Sequence, residues 1–458
     1  MKTILQKLAL SLFFLTSFLN PSSAQNWEYV GIPNFPANSA FTPSLALNTN
    51  GVPYVAFTSP ALGGVCVMSF NGNEWDFVGA PGFSPGGYIS MAISNNNIPY
   101  VAFSDSGEQG RVSVMKLNGN EWVHVGSPGF SPGTSASYVS LTINDSGEPF
   151  VAFSYFEDGT ILGKVMKFEG NNGGWTTVGL PFYSATSVPP ARYSLAISSS
   201  GTLYVSFNGP DNDFVNPTVM RNNGGNWEDL GSPNSVAGIN FPSSIAIGND
   251  DVPYVAYSGS TFKTNVKKLD ESQWVSVGAE NFSAGSAIGQ SLAFNTSGEP
   301  FVAYTDGFYS DKATVMKFNG EEWIVAGLPG FTTYGASDCS LAINDNGEPY
   351  LAFMNSMNSD FAYRVNVMKF SNNLGVLDYE VLNISLFPNP SNGDVALTNL
   401  PIGKTKIKIF DIKGKELVSK NTNTTSTTIN TSDFKNGVYL IKIENNGNSI
   451  NKKLIINN

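Results

Sequence analysis

Seven tryptophans at nearly equal intervals constrain the fold of this chain more than any other feature. They stand at positions 27, 75, 122, 175, 227, 274 and 323, so 47 to 53 residues separate each one from the next. Each opens a similar short segment, and the seven read WEYVG, WDFVG, WVHVG, WTTVG, WEDLG, WVSVG and WIVAG. Internal repeats of about 20 to 50 residues are typical of solenoids and propellers. The sequence therefore predicts a repeat architecture with seven units.

Three further strand-like segments follow each tryptophan segment. In the first unit they are SLAL at 44–47, PYVAF at 53–57 and VCVMSF at 65–70. Similar segments in the other units are rich in Val, Ile, Phe and Tyr and are bounded by Gly, Asn and Pro, which indicates short strands and tight turns. We therefore predict an all-β fold, a seven-bladed β-propeller with four-stranded blades.

The side-chain pattern also orders the strands within a blade. The SLAL-type segments combine small Ser and Ala with larger residues, which suits the narrow axis, whereas PYVAF is apolar on both faces and suits burial between blades. We therefore expect SLAL-type strands to be innermost and tryptophan strands outermost. The last unit ends at 365–370 without a tryptophan segment. Residues 27–31 are therefore expected to complete blade 7 and close the ring.

Composition excludes several classes of function. The chain has 36 acidic and 25 basic residues, a net charge of −11 and no basic run, which argues against nucleic-acid binding. The sole histidine, His124, lies in a tryptophan segment, where a surface position is expected. Asp211 with Asp213, and Asp306 with Asp311, offer oxygen ligands, but no spaced acidic loop of the calcium-binding kind contains them. We predict neither a metal site nor a cofactor.

Two cysteines are present in the chain, Cys66 and Cys339. Cys66 lies inside a strand-like segment, and Cys339 stands just before the SLAI segment of the last unit. The other units carry residues other than cysteine at the corresponding positions. We therefore expect two separate buried thiols, with a disulfide as the alternative.

The amino terminus has the order of a secretory signal. Lys2 and Lys7 precede an apolar run at 8–19, and a small-residue end at 22–24 follows it. This order predicts removal of residues 1–24 on export. The run is too short to span a membrane, and we expect no membrane span elsewhere.

The composition changes after residue 370. Residues 371–458 carry ten Lys against seven acidic residues and no tryptophan, whereas residues 25–370 carry 13 basic and 29 acidic residues. We therefore predict a propeller at 25–370, a linker at 371–383 and a second domain at 384–458. Alternating polar and apolar residues in KIKIF and VYLIKI indicate that the second domain is also built from strands.

Both regions resemble known families. The units ending VMKFNG-x-x-W-x-x-VG are similar to propeller repeats of secreted bacterial proteins. The tail has LFPNPSNGDVAL, KIKIFDIKGKEL and FKNGVYLIKIENNGNSINKKLII in that order, and it resembles the C-terminal sorting domain of the type IX secretion system of Bacteroidetes. This resemblance implies a small C-terminal β-sandwich and the type IX machinery as a partner. It also implies export through the periplasm, followed by secretion or attachment at the outer-membrane surface.

The connections within the propeller are of two kinds. Turns between the first and second strands, and between the third and outer strands, are nearly repeated, whereas the other turns and the links between blades vary. An up-and-down blade places both varied classes at one end, and varied loops on a rigid scaffold commonly carry recognition. The candidate binding residues on these loops are Tyr155, Phe156, Glu157, Asp158, Tyr183, Asp211, Asp213, Asp306, Phe308, Tyr309, Asp311 and Tyr334.

These features favour a monomeric, non-catalytic protein that binds an extracellular glycan or protein with this face. Two alternatives stay open. One is a polysaccharide lyase or glycosidase that uses Tyr or a carboxylate pair there, although no spacing identifies catalytic residues. The other is a multivalent lectin in which each tryptophan stacks on a sugar ring.

The sorting hypothesis can be tested by truncation. Removal of residues 384–458 should strand a folded propeller in the periplasm, because the translocon would no longer recognise the chain. Immunoblots of the periplasm and the culture medium measure the distribution. A truncated protein that reaches the medium in normal yield would show that the tail does not direct export.

Overall fold

The fold is seen in a computed structural model of the chain. It describes residues 26–36, 38–170, 174–181, 183–185, 193–208, 217–231, 243–355, 363–371, 384–400, 405–445 and 448–457. The predicted signal segment 1–24 and residues 372–383 of the predicted linker lie outside these ranges. The chain divides into two compact units, Met1–Asn372 and Asn373–Asn458.

The described residues of the first unit form seven antiparallel sheets, each built on four strands. The strands follow chain order in blades 1 to 6, whereas the outer strand of blade 7 precedes blade 1 in the chain. The inner strands of blades 1 to 7 are Phe41–Leu47, Gly86–Ile93, Thr134–Ile143, Ser194–Ile197, Ser244–Ile247, Ala287–Phe294 and Ala336–Ile343. The second strands are Pro53–Ser59, Pro99–Asp105, Pro149–Glu157, Leu203–Asn208, Pro253–Ser258, Pro300–Asp306 and Pro349–Asn355. The third strands are Gly64–Phe70, Arg111–Asn118, Thr160–Glu169, Pro217–Asn222, Thr264–Asp270, Lys312–Phe318 and Arg364–Ser371.

The outer strands carry or follow the tryptophans. They are Trp75–Phe77, Glu121–His124, Gly174–Thr177, Glu228–Asp229, Gln273–Ser276, Trp323–Val325 and, for blade 7, Asn26–Tyr29. Tyr183–Ala185 adds a short fifth strand to blade 3. Within the described ranges the helices are three 3-10 turns at Pro60–Leu62, Ser106–Glu108 and Gly307–Tyr309. The predicted seven-bladed β-propeller is therefore confirmed.

The amino-terminal strand closes the ring, as predicted. Asn26–Tyr29 pairs antiparallel with Arg364–Ser371, and Trp27 stands opposite Phe370. Residues from the two ends of the propeller sequence thus share one sheet. The edge that blade 7 would otherwise expose is covered.

Every tryptophan joins its blade to the preceding one through its indole N–H. The Nε1 of Trp75 in blade 1 donates to the carbonyl oxygen of Val30 in blade 7 at 2.6 Å. The other six junctions have the same bond at 2.7 to 3.0 Å. These bonds run from Trp27 to Ala326, Trp122 to Val78, Trp175 to Val125, Trp227 to Val178, Trp274 to Leu230 and Trp323 to Val277. We call this closed set of seven bonds the outer ring.

Packing at the outer ring explains why each tryptophan segment ends in glycine. Gly79 has a φ of 70°, in the left-handed region that favours glycine. A Cβ at this position would lie 2.9 Å from the Cδ1 atom of Trp122 in the next blade. Both the backbone conformation and the approach of the indole therefore exclude a larger residue.

Phenylalanines from the links between blades cover the indoles. Five stacked pairs occur among the described residues, with ring centroids 4.0 to 4.6 Å apart and interplanar angles of 5 to 16°. The pairs are Phe331 with Trp27, Phe35 with Trp75, Phe83 with Trp122, Phe130 with Trp175 and Phe282 with Trp323. The tryptophan side chains are thus packed from both the blade and the link.

A second closed set of bonds surrounds the axis. The Oγ of Ser44 in blade 1 accepts the backbone N–H of Met91 in blade 2 at 2.9 Å, and Ser340 of blade 7 accepts that of Leu45 at 3.0 Å. The other bonds are Leu141 to Ser90, Leu195 to Ser140, Ile245 to Ser194, Leu292 to Ser244 and Leu341 to Ser291. We call this set the inner ring. Its serines satisfy N–H groups on the free edges of the inner strands, in addition to being small.

The second and third strands form the core between neighbouring blades. Val55 and Ala56 in blade 1 point to opposite faces of one strand, and both are fully buried, as are Val101 and Ala102 in blade 2. Burial on both faces confirms the prediction from the PYVAF pattern. It fixes these strands at the middle of each blade.

The second unit is built from two sheets. One contains the strands Ser385–Phe387, Asp394–Thr398 and Ser426–Asn430, and the other contains Glu416–Thr422, Thr405–Phe410, Gly437–Asn445 and Asn448–Ile456. Val395 and Leu397 of the first sheet share a buried core with Ile407, Ile409 and Ile441 of the second. This unit is the predicted small β-sandwich.

Cys66 and Cys339 are both buried thiols, and neither forms a disulfide, as predicted. The Sγ of Cys66 accepts the backbone N–H of Gly82 at 3.2 Å. Burial raises the pKa of the Cys66 thiol, which keeps it protonated and unreactive at neutral pH.

The thiol assignment predicts a difference between folded and denatured protein. Without reductant, denatured protein should take up two alkylating groups by mass spectrometry, whereas briefly exposed folded protein should take up none. Uptake of none after denaturation would indicate a disulfide.

Ring closure predicts a specific role for residues 25–34. Their deletion, or Trp27→Ala, should lower the melting temperature by several degrees, because removing a large buried aromatic side chain costs about 3 to 5 kcal/mol. Ile32→Ala is the matched control, since this side chain is 69% exposed. An unchanged melting curve in the deletion variant would contradict closure by this strand.

Candidate functional site

The two varied classes of connection meet at one end of the propeller. The N–H of Ser135, at the start of the inner strand of blade 3, donates to the carbonyl of Gln109 in the second-to-third turn of blade 2 at 3.2 Å. The N–H of Ala336 donates in the same way to Asp311 at 2.7 Å. We call this end the loop face, and its described second-to-third turns are 60–63, 106–110, 158–159, 259–263 and 307–311.

Tyr155 is not a loop-face contact residue. Its side chain is 2% exposed and packs in the core between blades, with the Nζ of Lys164 5.0 Å from the ring centroid. Burial, and secondarily the charge of Glu157, raises the pKa of Tyr155 to about 12. The expectation that Tyr155 lies on a loop tip is wrong, because the second strand of blade 3 extends to Glu157 and carries Tyr155 on its inward face.

Asp306 is also structural. It is fully buried, and its carboxylate accepts the N–H of Phe308 at 3.1 Å and the hydroxyl of Thr314 at 2.9 Å. Thr314 in turn accepts the N–H of Gly330 at 2.9 Å, which ties the next link to the turn. Burial raises the pKa of Asp306, and the two hydrogen bonds from Thr314 and Phe308 oppose this. Asp306 therefore does not present a free carboxylate to a ligand, contrary to the expectation.

The same arrangement holds the corresponding turn of blade 2. Asp105 accepts the N–H of Gly107 at 3.0 Å and the hydroxyl of Ser113 at 2.7 Å, and Ser113 accepts the N–H of Gly129 at 2.9 Å. The turns Ser106–Glu108 and Gly307–Tyr309 are thus twins. Their backbones are fixed by the same polar relay.

The remaining candidates are scattered over the loop face. Phe156 is 46% exposed and Phe308 66% exposed, and Tyr309 packs against Phe308 with ring centroids 5.0 Å apart. The other described candidates, with exposed or partly exposed side chains, are Glu157, Asp158, Asp311 and Tyr334. Asp211, Asp213 and the side chain of Tyr183 lie outside the described residues. Residues 155–158 and 306–311 belong to blades 3 and 6, which are not neighbours in the ring, so these candidates do not form one site.

Four of the tryptophans cannot serve as sugar platforms. Trp27, Trp75, Trp122 and Trp323 are at most 9% exposed, and all seven indole N–H groups are already bonded in the outer ring. A lectin with seven equivalent tryptophan sites is therefore ruled out by packing. His124 is exposed on its outer strand, as expected.

A β-bulge shapes the loop-face end of the axis. In blades 1, 2, 3, 6 and 7 the pairing of the inner strand shifts just before the inner-ring serine. Two residues before that serine the backbone adopts a φ of 46 to 67° in all five blades. We call these residues the axial column, and they are Thr42, Tyr88, Tyr138, Gly289 and Asp338. Such positive φ angles cost non-glycine residues about 1 to 3 kcal/mol each and often occur at binding sites.

Four of the five axial-column residues lie around a cavity of about 280 Å³. Thr42, Tyr88, Tyr138 and Asp338 line it, together with Tyr193 and residues that adjoin them on the inner strands of blades 7, 1, 2, 3 and 4. Tyr88 is 46% exposed, and its ring lies 5.1 Å from that of Tyr138 at an angle of 58°. We call this cavity the axial mouth.

The axial mouth combines ring faces with polar groups. Tyrosine rings offer apolar faces and hydroxyls that both donate and accept hydrogen bonds, and Asp338 adds an acceptor. Sugars present the complementary surfaces, C–H faces and hydroxyls. Asp338 is the single carboxylate in the described lining.

Sequence reasoning missed the axial mouth because it assumed that each inner strand begins at its serine. The strand in blade 1 begins at Phe41, and the bulge lies within this extension. A signal was present: the residue two positions before each SLAL-type serine varies widely, while the serine itself recurs in every unit.

Two larger cavities occupy the opposite end. They measure about 440 and 460 Å³ and lie between blades 2 and 3 and between blades 3 and 4. Both include Lys167, which is paired with Glu169 at 2.8 Å. They are lined largely by the repeated turns and strand ends that every blade shares. Such linings offer few side chains that could select one ligand over another.

Two other kinds of feature, metal-ligand clusters and membrane-spanning helices, are absent from the described residues. They contain no group of three or more His, Cys, Asp or Glu side chains that could hold a metal ion. In the same part of the chain, no helix has the length and apolar character needed to cross a membrane.

Several solved structures are similar to this chain at low sequence identity. A Dyadobacter fermentans protein of unknown function is 9% identical, with 75% of this chain and 98% of that chain covered and a TM-score of 0.45. An ulvan lyase of a new polysaccharide lyase family is 10% identical, with coverage of 73% and 94% and a TM-score of 0.48. The Aleuria aurantia lectin is 13% identical, with coverage of 64% and 99% and a TM-score of 0.43. No curated protein has significant sequence similarity to the chain.

The second unit has a recognised family. Residues 385–457 match the secretion system C-terminal sorting domain. This match covers the β-sandwich and agrees with the sequence blocks that resemble type IX tails. The chain is therefore a protein sorted by the type IX secretion system, which exports it to the cell surface or the extracellular space.

Proposed function

We propose that this protein is an exported, non-catalytic glycan-binding protein whose ligand enters the axial mouth. The observation that carries the proposal is the pair of tyrosines, Tyr88 and Tyr138, at adjacent blades of an open cavity on the propeller axis. An extracellular location brings the protein into contact with polysaccharides of the surroundings.

The backbone at these tyrosines supports a binding role. Both hold positive φ angles, 46° and 53°, in bulges that the neighbouring inner-ring bonds fix in place. Glycine would adopt this conformation without strain, as Gly289 does in blade 6. Tyrosine at such a strained position lowers the stability of the fold, so we attribute its presence to ligand contact.

The size and charge of the mouth favour binding over hydrolysis. A cavity of about 280 Å³ suits the end of a sugar chain better than a folded protein surface, which needs a broad interface. Glycoside hydrolysis generally uses two carboxyl groups at a defined separation. The described lining supplies one, Asp338.

Substitution of the tyrosines tests the proposal. Tyr88→Thr and Tyr138→Thr introduce the residue that blade 1 carries at the same position, Thr42, so the fold should tolerate them. Each should weaken binding to a glycan identified on an array of plant and algal polysaccharides by about three- to tenfold, since each removes one aromatic contact. The double variant should lose binding, as measured by calorimetry.

Phe77→Ala is the matched control, because Phe77 is a 39% exposed aromatic residue on the outer strand of blade 1. It should bind as the wild type does. Wild-type affinity in the Tyr88→Thr, Tyr138→Thr double variant would contradict the proposed site. Release of reducing ends from any bound polysaccharide would contradict a non-catalytic role.

A further inference from the structure

Among the described residues, the wall of side chains around the axial mouth has a gap at blade 6. Blades 7, 1, 2 and 3 place Asp338, Thr42, Tyr88 and Tyr138 in the axial column, whereas blade 6 has Gly289. Within the part of the chain that the structure describes, no atom lies within 4 Å of the position that a Cβ would take on Gly289. The lining of the mouth comes from blades 7, 1, 2, 3 and 4. As the described residues form it, the mouth is therefore open toward blade 6.

Exposed apolar side chains lie around this gap. Ile288, next to Gly289 in the chain, is 38% exposed, and the N–H of Ala287 donates to the carbonyl of Phe262, itself 41% exposed. A Cβ on Gly285 would meet the Cβ of Phe308 at 2.8 Å, so the backbone before Ile288 runs directly against Phe308. Phe308 is 66% exposed. Ile288 and Phe308 belong to blade 6 and Phe262 to the neighbouring turn of blade 5. We call these three residues the blade 6 platform.

The twin turn in blade 2 indicates that the exposed aromatic ring of blade 6 is not needed for folding. The two turns have the same acid-hydroxyl-amide relay, built on Asp105 and Asp306. The position of Phe308 is occupied in blade 2 by Gly107. A phenylalanine held two-thirds exposed on a rigid turn loses the hydrophobic stabilisation that burial would give it. Several exposed apolar side chains on adjoining backbone segments are a feature of contact surfaces.

We propose that the blade 6 platform binds the body of a polysaccharide chain whose end occupies the axial mouth. This inference rests on the proposed function and specifies its ligand as a polymer, held end-on, that leaves the mouth through the gap at Gly289. Sugar rings along the chain would lie on Ile288 and Phe308. The affinity for a glycan should consequently rise with chain length beyond the sugars that fit in the mouth.

Two variants test the inference. Gly289→Tyr closes the gap with a residue that blades 2 and 3 carry at the same positive φ, at Tyr88 and Tyr138, and in a position with open space. Phe308→Ala shortens the platform without touching the mouth. Leu328→Ala is the matched control, because Leu328 is a 62% exposed apolar residue of the same blade, at a position where blade 1 carries Ala80.

The measurement compares short fragments with long chains of the same polysaccharide, taken from neutral β-glucan, xylan and mannan and from anionic ulvan and alginate. Wild-type protein and Leu328→Ala should bind long chains more tightly than short fragments. Phe308→Ala should lose about three- to tenfold of the affinity for long chains and none of that for short fragments. Gly289→Tyr should abolish the difference between them.

The outcomes separate this inference from the proposed function. One contrary outcome is that short fragments bind in a way that depends on Tyr88 while long chains bind no more tightly than short ones in the wild type. In that case, or if both variants keep the wild-type affinity difference between long and short chains, the platform does not hold the chain. If Phe308→Ala instead abolishes binding of another protein, the platform is a protein contact and the inference is overturned. If neither short nor long glycans bind the wild type, the proposed function itself is contradicted.

Discussion

The hydrogen bond from each tryptophan indole to the carbonyl of the preceding blade is the interaction on which this structure depends. A single bond of this kind contributes about 1 kcal/mol, and a buried stacked aromatic pair adds about as much. Together these bonds close the ring of blades. The junction between blades 6 and 7 forms because Trp27, near the amino terminus, bonds to Ala326. The period of the repeat, its terminal glycine and the use of strands from both ends all follow from this geometry.

Two concentric rings separate the frame of the molecule from its recognition surface. The outer ring fixes the blades to one another at the rim, and the inner-ring serines fix the strands that surround the axis. The bonds of both rings are made by strands and by the segments that recur in every unit, which leaves the loop face free to differ between blades. Within it, buried relays such as that of Asp306 hold individual turns in place. Exposed side chains are thereby presented on rigid backbone.

Sequence predicted the frame better than the site, for physical reasons. Each of the seven tryptophans indicates one junction between blades, and the apolar pattern of PYVAF indicates a strand that is buried on both faces. The loop residues were harder to predict, because residue type does not show which way a side chain points. Tyr155 is next to exposed Phe156 in the chain but faces the core, and the carboxylate of Asp306 is hydrogen-bonded within its own turn. The axial column depends on a bulge, which shifts side chains between faces without any change in strand composition.

Hydrogen–deuterium exchange with a bound glycan tests the central claim most directly, because it locates the contact without altering the protein. An axial ligand should slow exchange in the amide groups of residues 86–90, 134–140 and 336–340, where the inner strands begin, and, for a long chain, in residues 285–289 and 307–311. Protection confined to the outer strands or to the repeated turns at the opposite end would contradict an axial site.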